Sequence, residues 1–149
     1  MALTGQNNEE KIWNFLYSKI GNKFGTAGLM GNLYAESALK PTNLQDSFES
    51  KLGYNDESYT DGVDSGRYSN FIHDSAGYGL AQWTFWSRKH ELLQYAREQK
   101  ASIGDLEMQL NFLYKELQGY TNVWKILKNA KSVKEASDIV LHKYEAPGN

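Results

Sequence analysis

The stretch Gly25-Thr-Ala-Gly-Leu-Met-Gly-Asn-Leu-Tyr-Ala-Glu-Ser-Ala-Leu-Lys-Pro41 places one carboxylate, Glu36, on an apolar helical face. Leu29, Leu33 and Glu36 follow one another at i, i+4 and i+7, so they share one side of a helix. Pro41 disfavours helical geometry at the residue before it, which predicts that the helix ends close to Glu36. Burial and the negative end of the helix dipole both disfavour ionisation, so we expect a raised pKa for this carboxyl. Such a group suits general acid catalysis, whereas a helix-end glutamate in an ordinary hydrogen bond is the structural alternative.

Length and composition describe one globular domain. The chain has 149 residues, a formal charge of −2 and no cysteine. The weak negative charge gives no support to nucleic-acid binding, and disulfides and cysteine-based chemistry are excluded. No apolar stretch is long enough to span a membrane, and the first ten residues do not form a signal peptide. Export would therefore need another route or a segment outside this sequence.

Capping residues and apolar spacing predict helices along most of the chain. The predicted spans are a first helix from Asn7 or Asn8 to Ile20, a second from Thr26 to Glu36, a short one within 43–52, one from Thr84 to Lys100, one that begins at Ser102–Asp105 and stops at Gly119, one from Thr121, and one from Ser132. The polar segment 54–69 is predicted to be a loop, with an ordered, tyrosine-lined conformation and disorder both open. We expect a mainly α fold of about six helices with a loop-rich insertion and at most a small β-hairpin. Pro147-Gly148 closes the domain and could open a linker.

A second motif, Asp74-Ser-Ala-Gly-Tyr-Gly-Leu-Ala-Gln-Trp-Thr84, combines glycines with aromatic and amide side chains. Its glycines let a ligand approach the backbone closely. Tyr78, Gln82 and Trp83 offer stacking surface and an amide beside that backbone. A glycine-rich turn entering a helix, with its aromatic residues in the core, is the equally weighted alternative.

The remaining motifs narrow the chemistry to carboxylates. The three histidines show no metal-ligand spacing, and the sequence contains neither a G-x-S-x-G elbow nor a phosphate-binding glycine loop. A glutamate at a helix end, an acidic segment and a glycine-aromatic strip suit glycoside hydrolysis, in which one carboxylic acid protonates the leaving oxygen. A second carboxylate activates water or stabilises positive charge.

Two motifs together resemble the phage tail lysozyme family of peptidoglycan hydrolases, whose domains occur in phage tail proteins and endolysins. They are Ala27-Gly-Leu-Met-Gly-Asn-Leu-Tyr-Ala-Glu-Ser-Ala-Leu-Lys-Pro41 and Gly77-Tyr-Gly-Leu-Ala-Gln-Trp-Thr84. The likeness covers Asn8 to Pro147, including the closing Tyr144-Glu145-Ala146-Pro147. More distantly, Glu36-Ser37 with Gly79-Leu-Ala-Gln82 is similar to motifs of goose-type lysozymes and lytic transglycosylases.

The resemblance implies a lysozyme-like α domain in which Glu36 protonates the glycosidic oxygen. It also implies that Gln82 and neighbouring aromatic residues line the sugar cleft. Asp74 holds the place of the second carboxylate of goose-type lysozymes, although the insertion before it is longer here, and Asp46 and Glu49 are alternatives. The candidate sugar contacts are Tyr34, Tyr78, Gln82, Trp83 and Trp86, of which we expect one or two to belong to the core.

The sequence therefore predicts an N-acetylmuramidase that cuts β-1,4 bonds of peptidoglycan without a metal or cofactor. The alternatives are an N-acetylglucosaminidase or a lytic transglycosylase on the same substrate, and a non-enzymatic peptidoglycan-binding or structural tail module. We expect a monomer that acts at the bacterial cell wall after release by a holin or delivery in a virion. The missing signal peptide and Pro147-Gly148 favour a domain cut from a larger hydrolase.

Overall fold

The computed structural model describes residues 2–145, and its regular structure is helical. The elements are α1 (Asn8–Ile20), α2 (Lys23–Ser37), α3 (Asp46–Leu52), α4 (Asp56–Ser65), α5 (Trp86–Glu98), α6 (Leu106–Gly119), α7 (Thr121–Asn129), α8 (Val133–Ile139) and a terminal π-helical segment (Val140–Glu145). Over this described range there is no strand, and β-pairing is confined to the isolated bridges Leu44–Tyr78 and Tyr78–Trp83. The predicted mainly α fold is confirmed. Ala146, Pro147 and Gly148, for which closing and linker roles were predicted, lie outside the described residues.

The chain divides into two compact units. The first consists of Met1–Leu39 with Leu110–Asn149, the second is Lys40–Gln109, and one boundary falls inside α6. Within 2–145, none of the helices is long and apolar enough to cross a lipid bilayer.

Helix α2 is the centre of the first unit, as its small residues predict. It contacts α1, α7 and the π-helical segment, and its most extensive contact is with α8. A Cβ atom added to Gly28 would lie 2.4 Å from the Cβ of Ala136, and one added to Gly25 would lie 1.9 Å from the carbonyl oxygen of Leu127. Glycine at these two positions therefore lets α2 approach α7 and α8 more closely than alanine would.

The predicted loop over residues 54–69 is wrong, because most of it forms α4. Asn55 caps this helix in a reciprocal capping box with Ser58, and Gly66 ends it with a φ of 82°. Tyr59 and Val63, one turn apart, give the helix its buried face. The segment was predicted as a loop because Asp, Ser and Gly residues, which are typical of turns, outnumber these two buried side chains.

The start of the first helix was predicted correctly, whereas that of the second was not. Asn7 caps α1, accepting a hydrogen bond from the N–H of Glu10. Asn22 caps α2 one turn before the predicted Thr26, whose hydroxyl instead donates to the carbonyl oxygen of Asn22 at 2.8 Å. An asparagine that follows a helix-ending glycine can thus serve the next helix as its N-cap.

Two predicted caps in the second unit have other partners. The hydroxyl of Thr84 donates to the carbonyl oxygen of Gln82 at 2.8 Å, and α5 begins two residues later. The hydroxyl of Ser102 donates to Asp64 at 2.5 Å, while Asp105 accepts from the N–H of Met108 at the start of α6. A local hydrogen bond therefore engages Thr84, and α5 begins later than predicted, whereas the cap of α6, Asp105, is the last residue of its predicted start.

Two glycines of α2 provide a matched test of its packing. Gly28→Ala should destabilise the protein by about 1–3 kcal/mol, because the new methyl group overlaps Ala136. Gly31→Ala should stabilise it by about 0.5–1 kcal/mol, because a Cβ there meets nothing within 4 Å and alanine favours the helix. Urea unfolding measures both changes. Equal effects of the two substitutions would contradict the close packing of α2 on α8.

Candidate active site

Glu36 occupies the penultimate position of α2, close to the helix end predicted for it. The helix ends because Ala38 and Leu39 adopt left-handed backbone conformations, with φ values of 54° and 62°. The expectation that Glu36 is drawn into the core is wrong, because Leu29 and Leu33 are fully buried while Glu36 itself is exposed. Partial desolvation nevertheless raises the pKa of its carboxyl, in the predicted direction. A carboxyl that holds its proton to a higher pH than an ordinary glutamate is thus accessible from outside.

Tyr34 projects away from Glu36. The two residues are two positions apart, so their directions about the α2 axis differ by about 200°. Tyr34 is 64% exposed and lines a pocket between α1 and α2 to which Glu36 does not contribute. Tyr34 and Glu36 therefore lie on opposite sides of α2, and a contact between Tyr34 and a sugar stays a prediction.

Asp74 is the centre of a buried network in the second unit. Its Oδ2 accepts hydrogen bonds from the hydroxyls of Tyr59 at 2.6 Å and Tyr68 at 2.8 Å. Its Oδ1 accepts from Lys89 Nζ at 2.7 Å and from the N–H of Ala76 at 2.9 Å. Both side chains of the Asp74–Lys89 ion pair are 0% exposed. With four donors and no exposed surface, this carboxylate has no position from which to activate a water molecule, which argues against its predicted catalytic role.

Lys89 was missed in the sequence, although its spacing carries a signal. It precedes Leu92, Leu93 and Ala96 at i, i+3, i+4 and i+7, so it belongs to the buried face of α5. Burial lowers the pKa of Lys89 to about 8, against the raising effect of Asp74. Burial and the hydrogen bond to Asp74 both raise the pKa of Tyr59, which therefore stays a neutral donor. A charged residue on an apolar helix face could have predicted a buried ionic partner.

Two of the five predicted sugar contacts belong to the core. Tyr78 and Trp83 are 0% exposed and form an antiparallel bridge with each other. The hydroxyls of Tyr78 and Thr60 are hydrogen-bonded at 2.6 Å. Neither ring is accessible to a ligand. This agrees with the expectation that one or two of the five candidates belong to the core.

Gln82 stabilises the turn that joins these two aromatic residues. Its backbone has a φ of 50°, and its Nε2 donates to the carbonyl oxygens of Asn43 at 2.9 Å and Gly79 at 3.1 Å. Glycine at position 79 is required because its φ is 83° and a Cβ would lie 2.9 Å from the amide of Gln109. The amide nitrogen of Gln82 thus donates to backbone carbonyl groups of the protein. In this structure the side chain stabilises the turn.

Trp86 is the predicted sugar contact of the second unit that presents a large aromatic surface. It is 52% exposed at the first position of α5, beside Phe85, which is 48% exposed. The rings of His73 and Trp86 stack with centroids 6.0 Å apart. Phe85 and His73 were not selected in the sequence, because only their position beside Trp86 distinguishes them from ordinary surface residues. We call these three side chains the Trp86 patch.

The two alternative second carboxylates lie in the first turn of α3. Asp46 is exposed and Glu49 is half-buried. Desolvation and the negative charges of Asp56 and Asp46 raise the pKa of Glu49. Asp56 is held by Lys40 Nζ at 2.6 Å and by the N–H of Leu44 at 2.9 Å, so it is not a free group. No group of three or more metal-ligating side chains occurs in the described part of the chain.

The Asp74–Lys89 pair should dominate the stability of its unit. Lys89→Met should destabilise the protein by about 3–5 kcal/mol, because it leaves the buried carboxylate without its counter-charge. Lys134→Met, which breaks the exposed Lys134–Asp138 pair on α8, is the control and should leave stability within the error of the measurement. Urea unfolding followed by tryptophan fluorescence compares them. Two equally small changes would show that the buried network is not a structural centre.

Comparison with known proteins agrees with the resemblance of the two motifs. Residues 7–149 match the family model described as phage tail lysozyme. No curated protein and no solved structure gave a significant match. Because the family match extends over nearly the whole chain, this protein belongs to the phage tail lysozyme family.

Proposed function

We propose that this protein is an N-acetylmuramidase that cleaves the β-1,4 glycosidic bonds of peptidoglycan, with Glu36 as its general acid. Its family supplies the coarse function, that of a lysozyme-like protein acting on the bacterial cell wall. One observation carries the residue assignment. Glu36 is exposed at the end of α2, yet the pKa of its carboxyl is raised. Accessibility and a raised pKa are two properties that suit a glycosidic general acid.

In the proposed reaction, protonated Glu36 donates to the oxygen that links two sugars, and the bond from that oxygen to the anomeric carbon breaks. Positive charge develops on the sugar ring, and water attacks the anomeric carbon. The proton that this water loses passes to the Glu36 carboxylate, directly or through a second carboxylate, which restores the acid and completes hydrolysis. The C-terminal end of α2 opposes ionisation of Glu36 before the reaction. The resulting carboxylate is well placed to stabilise the positive sugar ring.

The identity of the second carboxylate is revised by the buried network. Asp74 is enclosed by four hydrogen-bond donors, so we assign it a structural role. If a second carboxylate takes part, Glu49 and Asp46 are the remaining candidates. We favour Glu49, because desolvation and the negative charges of Asp56 and Asp46 raise its pKa, and a more basic carboxylate is better suited to accept a proton from water.

The Trp86 patch is the proposed sugar-contacting surface of the second unit. Its rings are exposed and adjacent, as stacking against sugar rings requires. The buried Tyr78 and Trp83 support the turn beside this patch without touching the sugar. The proposed partner is therefore the glycan strand of the cell wall, reached by holin release or virion delivery and bound by a monomer.

Glu36→Gln should lower the rate of cell-wall solubilisation at least about 100-fold, because glutamine keeps the shape but cannot donate a proton. The parent should lose activity as the pH rises through the pKa of Glu36, because the carboxyl then loses its proton. Since this pKa is raised, the loss should occur at a higher pH than for a glutamate with an ordinary pKa. Turbidity of purified cell walls measured across pH tests both expectations.

The control is Glu91→Gln, which changes an exposed glutamate of α5 in the same way. It should leave the rate and its pH dependence unchanged. Undiminished clearing by Glu36→Gln would contradict general acid catalysis. If the parent binds walls but does not cleave them, the domain is a binding or tail module.

A lytic transglycosylase is the second candidate, and the enclosure of Asp74 favours it. Such an enzyme needs one acid/base group, and the 6-hydroxyl of the muramic acid attacks in place of water. Mass spectrometry of digested walls distinguishes the reactions by their ends. We expect a reducing N-acetylmuramic acid. A 1,6-anhydro end would indicate the transglycosylase, and a reducing N-acetylglucosamine would indicate a glucosaminidase.

A further inference from the structure

The pocket lined by Tyr34 lies in the first unit, between α1 and α2. Its volume is about 580 Å³, within the range that binds small organic ligands. Its lining residues are Glu9, Glu10, Trp13, Asn14, Ala27, Met30, Gly31, Tyr34 and Leu39. We call it the α1–α2 pocket.

This pocket lies on the side of α2 that faces away from Glu36. Ala27, Gly31 and Tyr34 recur at i, i+4 and i+7, so they form one stripe along the helix. Glu36 projects about 200° from Tyr34, on the other side. The pocket therefore does not contain the proposed general acid, and its ligand would bind away from that carboxyl.

Gly31 has no packing reason to be glycine. A Cβ at this position would meet nothing within 4 Å, whereas one at Gly28 or Gly25 would overlap α8 or α7. Glycine within a helix costs about 1 kcal/mol relative to alanine. At Gly31 no close contact with another helix offsets this loss of helix stability. The missing side chain leaves an open space in the pocket. Together with Ala27, it deepens the pocket between the two aromatic side chains.

The lining combines aromatic surface with negative charge. Trp13 is half-buried and Tyr34 is 64% exposed, so both rings contribute accessible surface. Glu9 and Glu10 supply two exposed carboxylates at the rim, and the lining contains no lysine, arginine or histidine. One oxygen of Glu10 accepts from the N–H of Gln6 at 3.0 Å, which orients the carboxylate. Aromatic faces beside carboxylates are complementary to an alkylammonium group.

We infer that the α1–α2 pocket binds the ammonium-bearing side chain of a peptidoglycan stem peptide. The choice of the stem peptide as the source rests on the proposed function, while the ammonium chemistry rests on the pocket itself. The alkyl chain of a diamino acid would lie against Met30 and the aromatic rings, and its ammonium would lie between Glu9 and Glu10. The pocket would then hold a peptide-bearing strand on the protein independently of bond cleavage.

The test uses two peptides and isothermal titration calorimetry. Nα-acetyl-L-lysyl-D-alanyl-D-alanine should bind the parent protein. Its Nε-acetylated form should bind at least about tenfold more weakly, because acetylation removes the charge. Increasing salt should weaken the first interaction, since the rim carboxylates are exposed. Neither peptide contains a glycosidic bond, so the result is independent of the catalytic proposal.

Two variants locate the binding. Glu9→Gln combined with Glu10→Gln should abolish the preference for the free ammonium, and Gly31→Leu should block binding by filling the pocket. Glu91→Gln is the matched control and should retain the parent affinity and preference. Glu36→Gln should also retain them, although it is expected to lose cleavage. Circular dichroism and thermal unfolding confirm that each variant is folded.

Three results would overturn the inference. They are an absence of binding, equal binding of the two peptides, and an unchanged preference in the folded Glu9/Glu10 double variant. A chitotriose that competes with the lysyl peptide for Trp13 in NMR spectra would instead assign the pocket to sugar rings. Loss of cleavage in Glu36→Gln together with any of these results would leave the proposed function intact.

Discussion

The need to satisfy a buried carboxylate organises the second unit. Asp74 is removed from water, so the free energy of its ionised form depends on donors supplied by the protein. Helix α4 contributes Tyr59, α5 contributes Lys89, and the intervening segment contributes Tyr68 and the N–H of Ala76. One side chain thus holds together elements that are distant in sequence. The same interactions argue against the catalytic role that was predicted for Asp74.

Helix α2 is the central element of the first unit, and each of its faces has different contacts. Gly25 and Gly28 allow close contact with α7 and α8. The stripe of Gly31 and Tyr34 lines the α1–α2 pocket, while Glu36 projects in the other direction. Replacement of any one small residue would affect one face and leave the others largely unchanged. A single 15-residue helix therefore combines helix packing with the proposed ligand-binding and catalytic positions.

Much of the fold could be predicted, because local signals set most helix boundaries. Asn7 and Thr121 were correctly identified beside helix ends. Helix α4 was missed because its two buried hydrophobic side chains, Tyr59 and Val63, were outnumbered by residues typical of turns. For the site, the position of Glu36 near a helix end and the direction of its pKa shift were predicted correctly. The exposure of Glu36 was not predicted. Residue spacing shows which side chains share a helix face, but it does not show how far along the helix that face is buried.

Motifs, capping residues and apolar spacing are local properties of the chain. They were enough to identify the family, the helical class and the position of Glu36 near the end of α2. Tertiary structure decided which aromatic and charged side chains are accessible. It buried Tyr78, Trp83 and Asp74 and left Trp86 and Glu36 exposed. Solvent exposure is set by contacts between residues far apart in sequence. Lys89 lies 15 residues beyond Asp74, and only folding brings that ammonium within 2.7 Å of the carboxylate.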